Sequence, residues 1–255
     1  LKQEVLPALI EWRQGKKGCR FVTEASVNLS DDDVLIELIV EAGFTQVFVG
    51  IETPDDSALA ECSKSQNRNR DLVSAVRKLQ QMGLQVMGGF IVGFDSDDET
   101  IFQRMVDFIQ ESGIVTAMVG LLQAPIGTQL YQRMLRDGRI KSAYSGDNVD
   151  GETNIIPKMD QHALKAGYRM IIDSIYSAKN FYQRVRTFLS HYQLANIPVT
   201  LQWEEIAAFI SSIFEIGIKS KERKHYWKLF FWTLFHYPKK FPLAITFTIY
   251  GYHFR

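Results

Sequence analysis

Two carboxylates, Glu24 and Glu52, each follow a short apolar run, in the segments Thr23-Glu24-Ala25-Ser26 and Gly50-Ile51-Glu52-Thr53-Pro54. A carboxylate so placed can accept hydrogen bonds from a ribose diol or pair with an ammonium group. Ser26 and Thr53 add hydroxyls beside them. Two further apolar runs end in permissive residues, Gly88-Gly89-Phe90-Ile91-Val92-Gly93-Phe94-Asp95 and Gln123-Ala124-Pro125-Ile126-Gly127-Thr128. Gly89 and Gly93 let backbone approach a flat ring with no Cβ between, and Ile91 lies between them. Each feature also has a plainer reading. A strand-end Glu often caps a helix or joins an ion pair, and Gly88-Gly89 can ease strand packing alone. The set of four segments points to a ligand more than any one of them.

The elements that must position these groups are legible in the hydrophobic pattern. Segments 20–23, 46–51, 84–92 and 115–122 are rich in Val, Ile and Phe, as strands buried on both faces are. Helical patterns over 32–42, 70–82 and 97–110 alternate with them, and Gly43 and Gly83 stand where helices should stop. Ser30 with Asp31–Asp33 supplies an N-cap and an acidic first turn. Strand–helix–strand units of this length give parallel pairing with right-handed crossovers, and ligands then gather beyond the carboxyl ends of the strands. Four strands make an open sheet or part of a barrel, since an eight-stranded barrel needs about 250 residues alone. The expected fold class is therefore α/β, a partial parallel barrel over residues 1–140. A polar linker follows at 141–160, then an α-helical domain over 161–255, with helices at 161–192, 203–214, 221–236 and 243–252.

Composition excludes several classes. Lys+Arg and Asp+Glu balance at 29 each, so no overall field favours nucleic acid. Cys19 and Cys62 form no CxxC or Cys/His cluster, which argues against disulfides and zinc and sets a reducing cytoplasm as the expected location. There is no GxGxxG after a strand, no GxxxxGK[ST] and no GxSxG. The C-terminal part is basic and aromatic, from Tyr226 to Tyr237, but Pro238 and Pro242 keep its apolar runs shorter than a membrane span. The expectation there is a packed helical hairpin, with membrane-surface contact as the alternative.

The order TEAS, GIET, GGFIVGF and LQAPIGTQLY resembles the barrel of radical S-adenosylmethionine enzymes, in particular the class with an N-terminal cobalamin-binding domain. The tail Tyr250-Gly251-Tyr252-His253-Phe254-Arg255 resembles the uncharacterised C-terminal domain of a subset of that class. The resemblance implies S-adenosylmethionine near Glu24, Ser26, Glu52 and Thr53, with adenine against Gly89, Ile91 and Gly93 and on the side of Gln123. Where the GxIxGxxE motif has its acidic residue this chain has Ser96, with Asp95 beside it. The resemblance also implies a [4Fe-4S] cluster and cobalamin in the parent protein, with their ligands outside this chain. No CxxxCxxC loop or DxHxxG motif is present, and all five histidines lie at 162 or beyond.

Three functions follow as expectations, the last a small doubly wound α/β domain with an unrelated ligand. The first is a truncated radical enzyme, the parent transferring a methyl group or making another radical modification of a small or lipid-like substrate. Its partners would be the N-terminal barrel half and the cobalamin-binding domain. The alternative is a cluster-less binding or accessory module on the same fold. A partial barrel also leaves a strand edge unpaired, so the chain should associate unless segment 2–14 covers that edge.

Overall fold

The structure, a computed structural model, describes residues 1–16, 18–147, 150–194 and 203–255. Four strands, β1 (Phe21–Ala25), β2 (Phe44–Glu52), β3 (Gln85–Val92) and β4 (Ala117–Leu121), pair in parallel in the order β1-β2-β3-β4. The crossovers are α2 (Asp33–Glu41), then α3 (Asp56–Glu61) with α4 (Leu72–Gln81), then α5 (Thr100–Ser112). The expected α/β class is observed, as a four-stranded parallel sheet compatible with part of a barrel. All four strands and the three predicted crossover helices are present, with ends shifted by at most three residues.

The shifts have local causes. Asp32, not Ser30, caps α2, accepting from the Leu35 amide at 3.1 Å, because Val27–Asp31 closes into a 3-10 turn first. Helix α5 starts at Thr100 because Asp97 turns back to accept from the Gly93 and Phe94 amides. Helices α3 and α6 (Gln129–Arg136) were not foreseen. They are short, and their caps Asp55 and Thr128 sit in stretches that read as loops.

Helices cover one face of the sheet. Val47, Val49 and Ile51 of β2, Val86, Phe90 and Val92 of β3, and Ala117, Val119 and Leu121 of β4 point into a core shared with α2, α4 and α5. The opposite face carries Val22, Glu24, Phe48, Met87, Gly89 and Met118, all partly or well exposed, with Val22 at 55% and Met118 at 48%. Helix α1 (Val5–Arg13) inserts Leu6 into the core and packs beside α2, within the helix layer.

The chain then becomes helical. The segment expected as a linker bonds to the end of the sheet. Thr153 donates to the Leu122 carbonyl at 2.6 Å, and buried Asn154 both accepts from the Ala124 amide and donates to its carbonyl. These side chains satisfy the backbone groups that β4 leaves open at its end. The predicted helix 161–192 is two helices, α7 (Gln161–Tyr176) and α8 (Ala178–His191), broken at Ser177, whose hydroxyl caps α8. Hydrophobic contact passes the strand-to-helix change, since Leu164, Ile171 and Ile175 of α7 belong to the core of the sheet.

A second core joins α8 to α9 (Trp203–Ser212), a π-helical turn (Ile213–Lys219), α10 (Arg223–His236) and α11 (Phe241–His253). Pro242 does not interrupt the last helix; it occupies its first turn, where no amide partner is lost. Fully buried Arg184 of α8 binds the two cores together. Its guanidinium donates to Gln110 Oε1 at 2.5 Å, to the Ile175 carbonyl at 2.7 Å and to the Val115 carbonyl at 3.3 Å. Gly113 ends α5 with φ 72°, and a Cβ there would press on the Phe188 backbone at 3.1 Å.

Replacing Arg184 with Ala strands three buried acceptors and leaves a cavity. Stability should fall by about 3 kcal/mol or more, read as a denaturant midpoint. A loss below about 1 kcal/mol would show that the two cores do not depend on it.

Candidate functional site

The carboxyl end of β2 is built around a strained residue. Glu52 has φ 67°, a left-handed conformation that costs a non-glycine residue about 1–2 kcal/mol. The β2–β3 register shifts between Gly50 and Glu52, so the strand kinks there. The kink folds the Glu52 side chain back over Gly50, where a Cβ would lie 2.6 Å from Glu52 Oε1 and 3.1 Å from Lys64 Nζ. Glycine at 50 is what makes room for this ion pair, whose Nζ–Oε1 distance is 2.8 Å. Buried Asn67 holds the kink from behind, its amide donating to the carbonyls of both Gly50 and Ile51 at 3.1 and 3.0 Å. Lys64 and Asn67 were missed in the sequence, because they reach β2 from a loop and a 3-10 turn that carry no periodic signal.

Glu24 lies opposite Phe48 in the β1–β2 ladder, and Gly50 lies opposite Gly89 in the β2–β3 ladder. Side chains two residues apart share a face. Glu24, Phe48, Gly89 and Ile91 therefore stand on the uncovered side of the sheet, and the kink brings the Glu52 carboxylate over Gly50 to that side. The space above Gly89 is not empty: a Cβ there would meet the Phe48 ring at 2.7 Å, so that ring lies across the glycine. Where a bare glycine floor was expected, the opening has an aromatic one. Ile91 leans against a small apolar cluster of Phe94, Leu122, Ala124 and Met134, to which Leu130 and Tyr131 of α6 and the bridge residues Ile140 and Ile155 also belong. Ser26 is exposed just beyond β1.

The other predicted residues are engaged elsewhere. Thr53 is fully buried and its hydroxyl accepts from the Asp55 amide, shaping the cap of α3. Gly93 has φ 103°, and a Cβ there would point at Leu164 of α7, away from the opening. Gln123 donates to the Asp147 carbonyl at 2.6 Å and so anchors the following loop. The expectation that all these groups share one mouth is corrected to a smaller set. The physical reason is the end of each strand: once the extended backbone stops, alternation no longer fixes where a side chain points.

A band of charge surrounds the strand ends. Arg139 binds Asp95 through both guanidinium nitrogens at 2.7 and 2.8 Å, and Arg133 binds Glu61 at 2.6 Å. The Arg139 guanidinium holds the Asp95 carboxyl below the usual carboxylate range. The Asp97 carboxyl, by contrast, is pushed up to about 6, chiefly by burial, against the pull of the Gly93 and Phe94 amides.

The chemistry of the donors decides which groups could bind here. Glu24, Ser26, Glu52 and Lys64 offer acceptors, a hydroxyl and a cation to a polar ligand, and Phe48 and Ile91 offer an apolar wall. That set fits S-adenosylmethionine. An iron–sulfur cluster does not fit the residues present: Cys19 and Cys62 are apart in the fold, burial pushes the Cys62 thiol up, and no metal-ligating group of three His, Cys, Asp or Glu occurs among the described residues. No helix among the described residues is long and apolar enough to cross a membrane.

Residues 128–255 match the family model described as a domain of unknown function, DUF4070. The chain belongs to that family. It is also similar to an uncharacterized methyltransferase of Synechocystis sp., 33% identical over 246 residues that make up 92% of this chain and 45% of the relative. A hopanoid C-2 methylase of Rhodopseudomonas palustris is 28% identical over 88% of this chain and 44% of its own length. A bacteriochlorophyllide d C-12(1)-methyltransferase of Chlorobaculum tepidum is 29% identical over 47% of this chain and 26% of its own. The chain thus spans less than half the length of these relatives. As its strand ends implied, it is of the radical S-adenosylmethionine class with a cobalamin-binding domain, and corresponds to the C-terminal portion of that class.

Asp97 provides a pH test of the strand-end turn. Its folded value lies above the ordinary carboxylate value of 3.8, so its stabilising contribution is complete below that value and is lost as pH rises through about 6. Asp97→Asn removes this ionisation while keeping an acceptor for the two amides. The variant should gain on the wild type by up to about 3 kcal/mol between acidic and neutral pH. Denaturation curves for both proteins at each pH measure it, and a constant difference between them would mean that Asp97 ionises freely in the fold.

Proposed function

We propose that this chain forms the substrate-side part of a radical S-adenosylmethionine methyltransferase, with the cofactor on the uncovered face of its sheet. The observation that carries the reading is the sharing of that face by Glu24, the Glu52–Lys64 pair, Phe48 and Ile91. Class membership supports it, as do relatives named methyltransferases over most of this chain. When bound, S-adenosylmethionine supplies the methyl group or the adenosyl group on which the reaction depends.

The chain's own residues bind and orient. Glu24 and Glu52 accept hydrogen bonds from ribose hydroxyls or from the methionine ammonium, and Lys64 balances Glu52 and can meet the methionine carboxylate. Phe48 offers its ring, and Ile91 its side chain, to the flat adenine. The kink at Glu52 is built before any ligand arrives, because Asn67 and Lys64 already hold it. Such preorganisation spares the binding step the cost of ordering the carboxylate. Thr53, Gly93 and Gln123 enter the reading as supports of the strand ends. Cluster and cobalamin ligands would come from other parts of the parent protein, along with the elements that close the barrel.

The test is made on a protein that joins this chain to its cluster-binding segment. Glu24→Ala and Glu52→Ala should each weaken S-adenosylmethionine binding by about tenfold, the loss of a charge-assisted hydrogen bond, with unchanged melting temperature. Gly50→Ala should weaken it too, by displacing the Glu52 carboxylate. Undiminished affinity in both glutamate variants removes the site assignment. Anaerobic reconstitution of the present chain with iron and sulfide should give no stable brown chromophore, and a cluster retained through Cys19 and Cys62 would contradict the division of labour.

A further inference from the structure

Helix α9, the π-helical turn and α10 form an antiparallel hairpin. Phe209 stacks on Phe230 at 6.3 Å, Ser212 Oγ lies 3.1 Å from the Tyr226 hydroxyl, and the Trp227 indole donates to the Gly217 carbonyl at 2.9 Å. Its inner side is accounted for: Ile216, Tyr226, Leu229 and Thr233 are buried against α8 and α11. The outer side is also apolar. Ile210, Phe214 and Ile218 recur every four residues on one arm and are about half exposed; on the other arm Phe231 and Leu234 are exposed and Phe235 is 76% exposed.

Trp227 links the two arms beside these rows. It reaches Gly217, next to Ile218, on one arm, and its ring lies 5.7 Å from Phe231 on its own, with Phe235 stacked a turn further on. A helix that is apolar all round is ordinarily buried or in contact with lipid, and the C-terminal half of α10, from Phe230 to Phe235, is apolar on its inner and outer sides alike. A contiguous exposed patch of this kind marks a binding surface.

Charge says what covers it. Residues 203–255 carry eight Lys and Arg against four Glu, in a chain whose charges otherwise balance. Two of the four glutamates, Glu215 and Glu222, are already paired with Lys219 and Arg255. Lys224 and Lys228 are exposed on α10, seven and three residues before Phe231 and so on its face, and Lys221 is exposed at the hairpin turn. None of these three lysines has a carboxylate partner among the described residues. A second copy docked symmetrically on this face would bring lysine against lysine. An anionic lipid surface takes the aromatic rings below the headgroups and the ammonium groups at the phosphates, with the lysine stems lying along the apolar surface.

We infer that the outer face of the α9–α10 hairpin is a membrane-surface docking site for anionic lipid. The helices lie along the interface, and neither crosses it. The chain joins the surface through Phe214, Phe231 and Phe235 and is held there by Lys221, Lys224 and Lys228. This inference is independent of what the sheet binds.

The experiment is co-sedimentation of the full chain with vesicles of phosphatidylcholine, with and without phosphatidylglycerol. The chain should partition onto the anionic vesicles and much less onto the neutral ones. Phe231→Ser with Phe235→Ser should lower that partitioning by about tenfold or more. Lys224→Gln and Lys228→Gln should each lower it by about fivefold and flatten its salt dependence. Melting temperatures report whether each variant folds. Should the aromatic variants fail to fold, the unaltered chain is titrated with vesicles of brominated acyl chains, which should quench its tryptophan emission. A chain that stays in the supernatant, aromatic variants that bind undiminished, or absence of quenching would overturn the inference. So would a dimer that Phe235→Ser dissolves and that does not bind vesicles.

Discussion

The pleat of a parallel strand sends successive side chains to opposite faces, and in this protein helices cover only one of them. Everything about the site follows from that constraint. Val47, Val49 and Ile51 must face the helices for β2 to be buried at all, so Phe48 and Gly50 must face the other way, and the kink folds the Glu52 carboxylate back over Gly50 onto that same side. The same alternation sets Glu24 on the open face of β1, and Gly89 and Ile91 on that of β3. Parallel sheets are ordinarily covered on both sides. A bare side that carries two carboxylates, an ammonium group and an aromatic ring is suited to enclosing a polar ligand with one flat part.

The kink at Glu52 shows how strain and position are linked. A left-handed glutamate is unfavourable by itself, and the fold retains it through contacts from outside the strand. Asn67 donates to two strand-end carbonyls, Lys64 pairs with the carboxylate, and the missing side chain at Gly50 leaves space for the ion pair. Such over-determined strain is characteristic of positions where geometry serves binding.

The helical half is coupled to this sheet by polar groups as well as by packing. Arg184 has no carboxylate partner among the described residues. It is held by two carbonyls and an amide oxygen, with the rings of Tyr176 and Phe181 beside its guanidinium. That environment draws its pKa down to about 10, through burial above all. Asn154 and Thr153 do similar work at the end of β4. The segment between the two halves thereby becomes part of the scaffold at the end of β4.

The sequence by itself determined the strands, their parallel order and the helices between them, because these depend on short-range periodicity and on caps and glycines that act locally. It also determined which class the chain resembles, through the ordered strand ends from Thr23 to Thr128. It did not reveal α3 and α6, whose lengths are too short for a period to show, or the break at Ser177, where one hydroxyl ends the run of helix. Only the tertiary structure decided which strand-end groups share a face. Glu24 shares a face with Glu52 because Glu24 stands on paired strand and the kink folds the Glu52 carboxylate back over Gly50, whereas Thr53, Gly93 and Gln123 lie at or past the strand ends and turn to local partners. Lys64 and Asn67 joined the site from three-dimensional proximity alone. The aromatic tail divided in the same way: the pattern made it helical, and packing chose which rings went inward and which stayed in water.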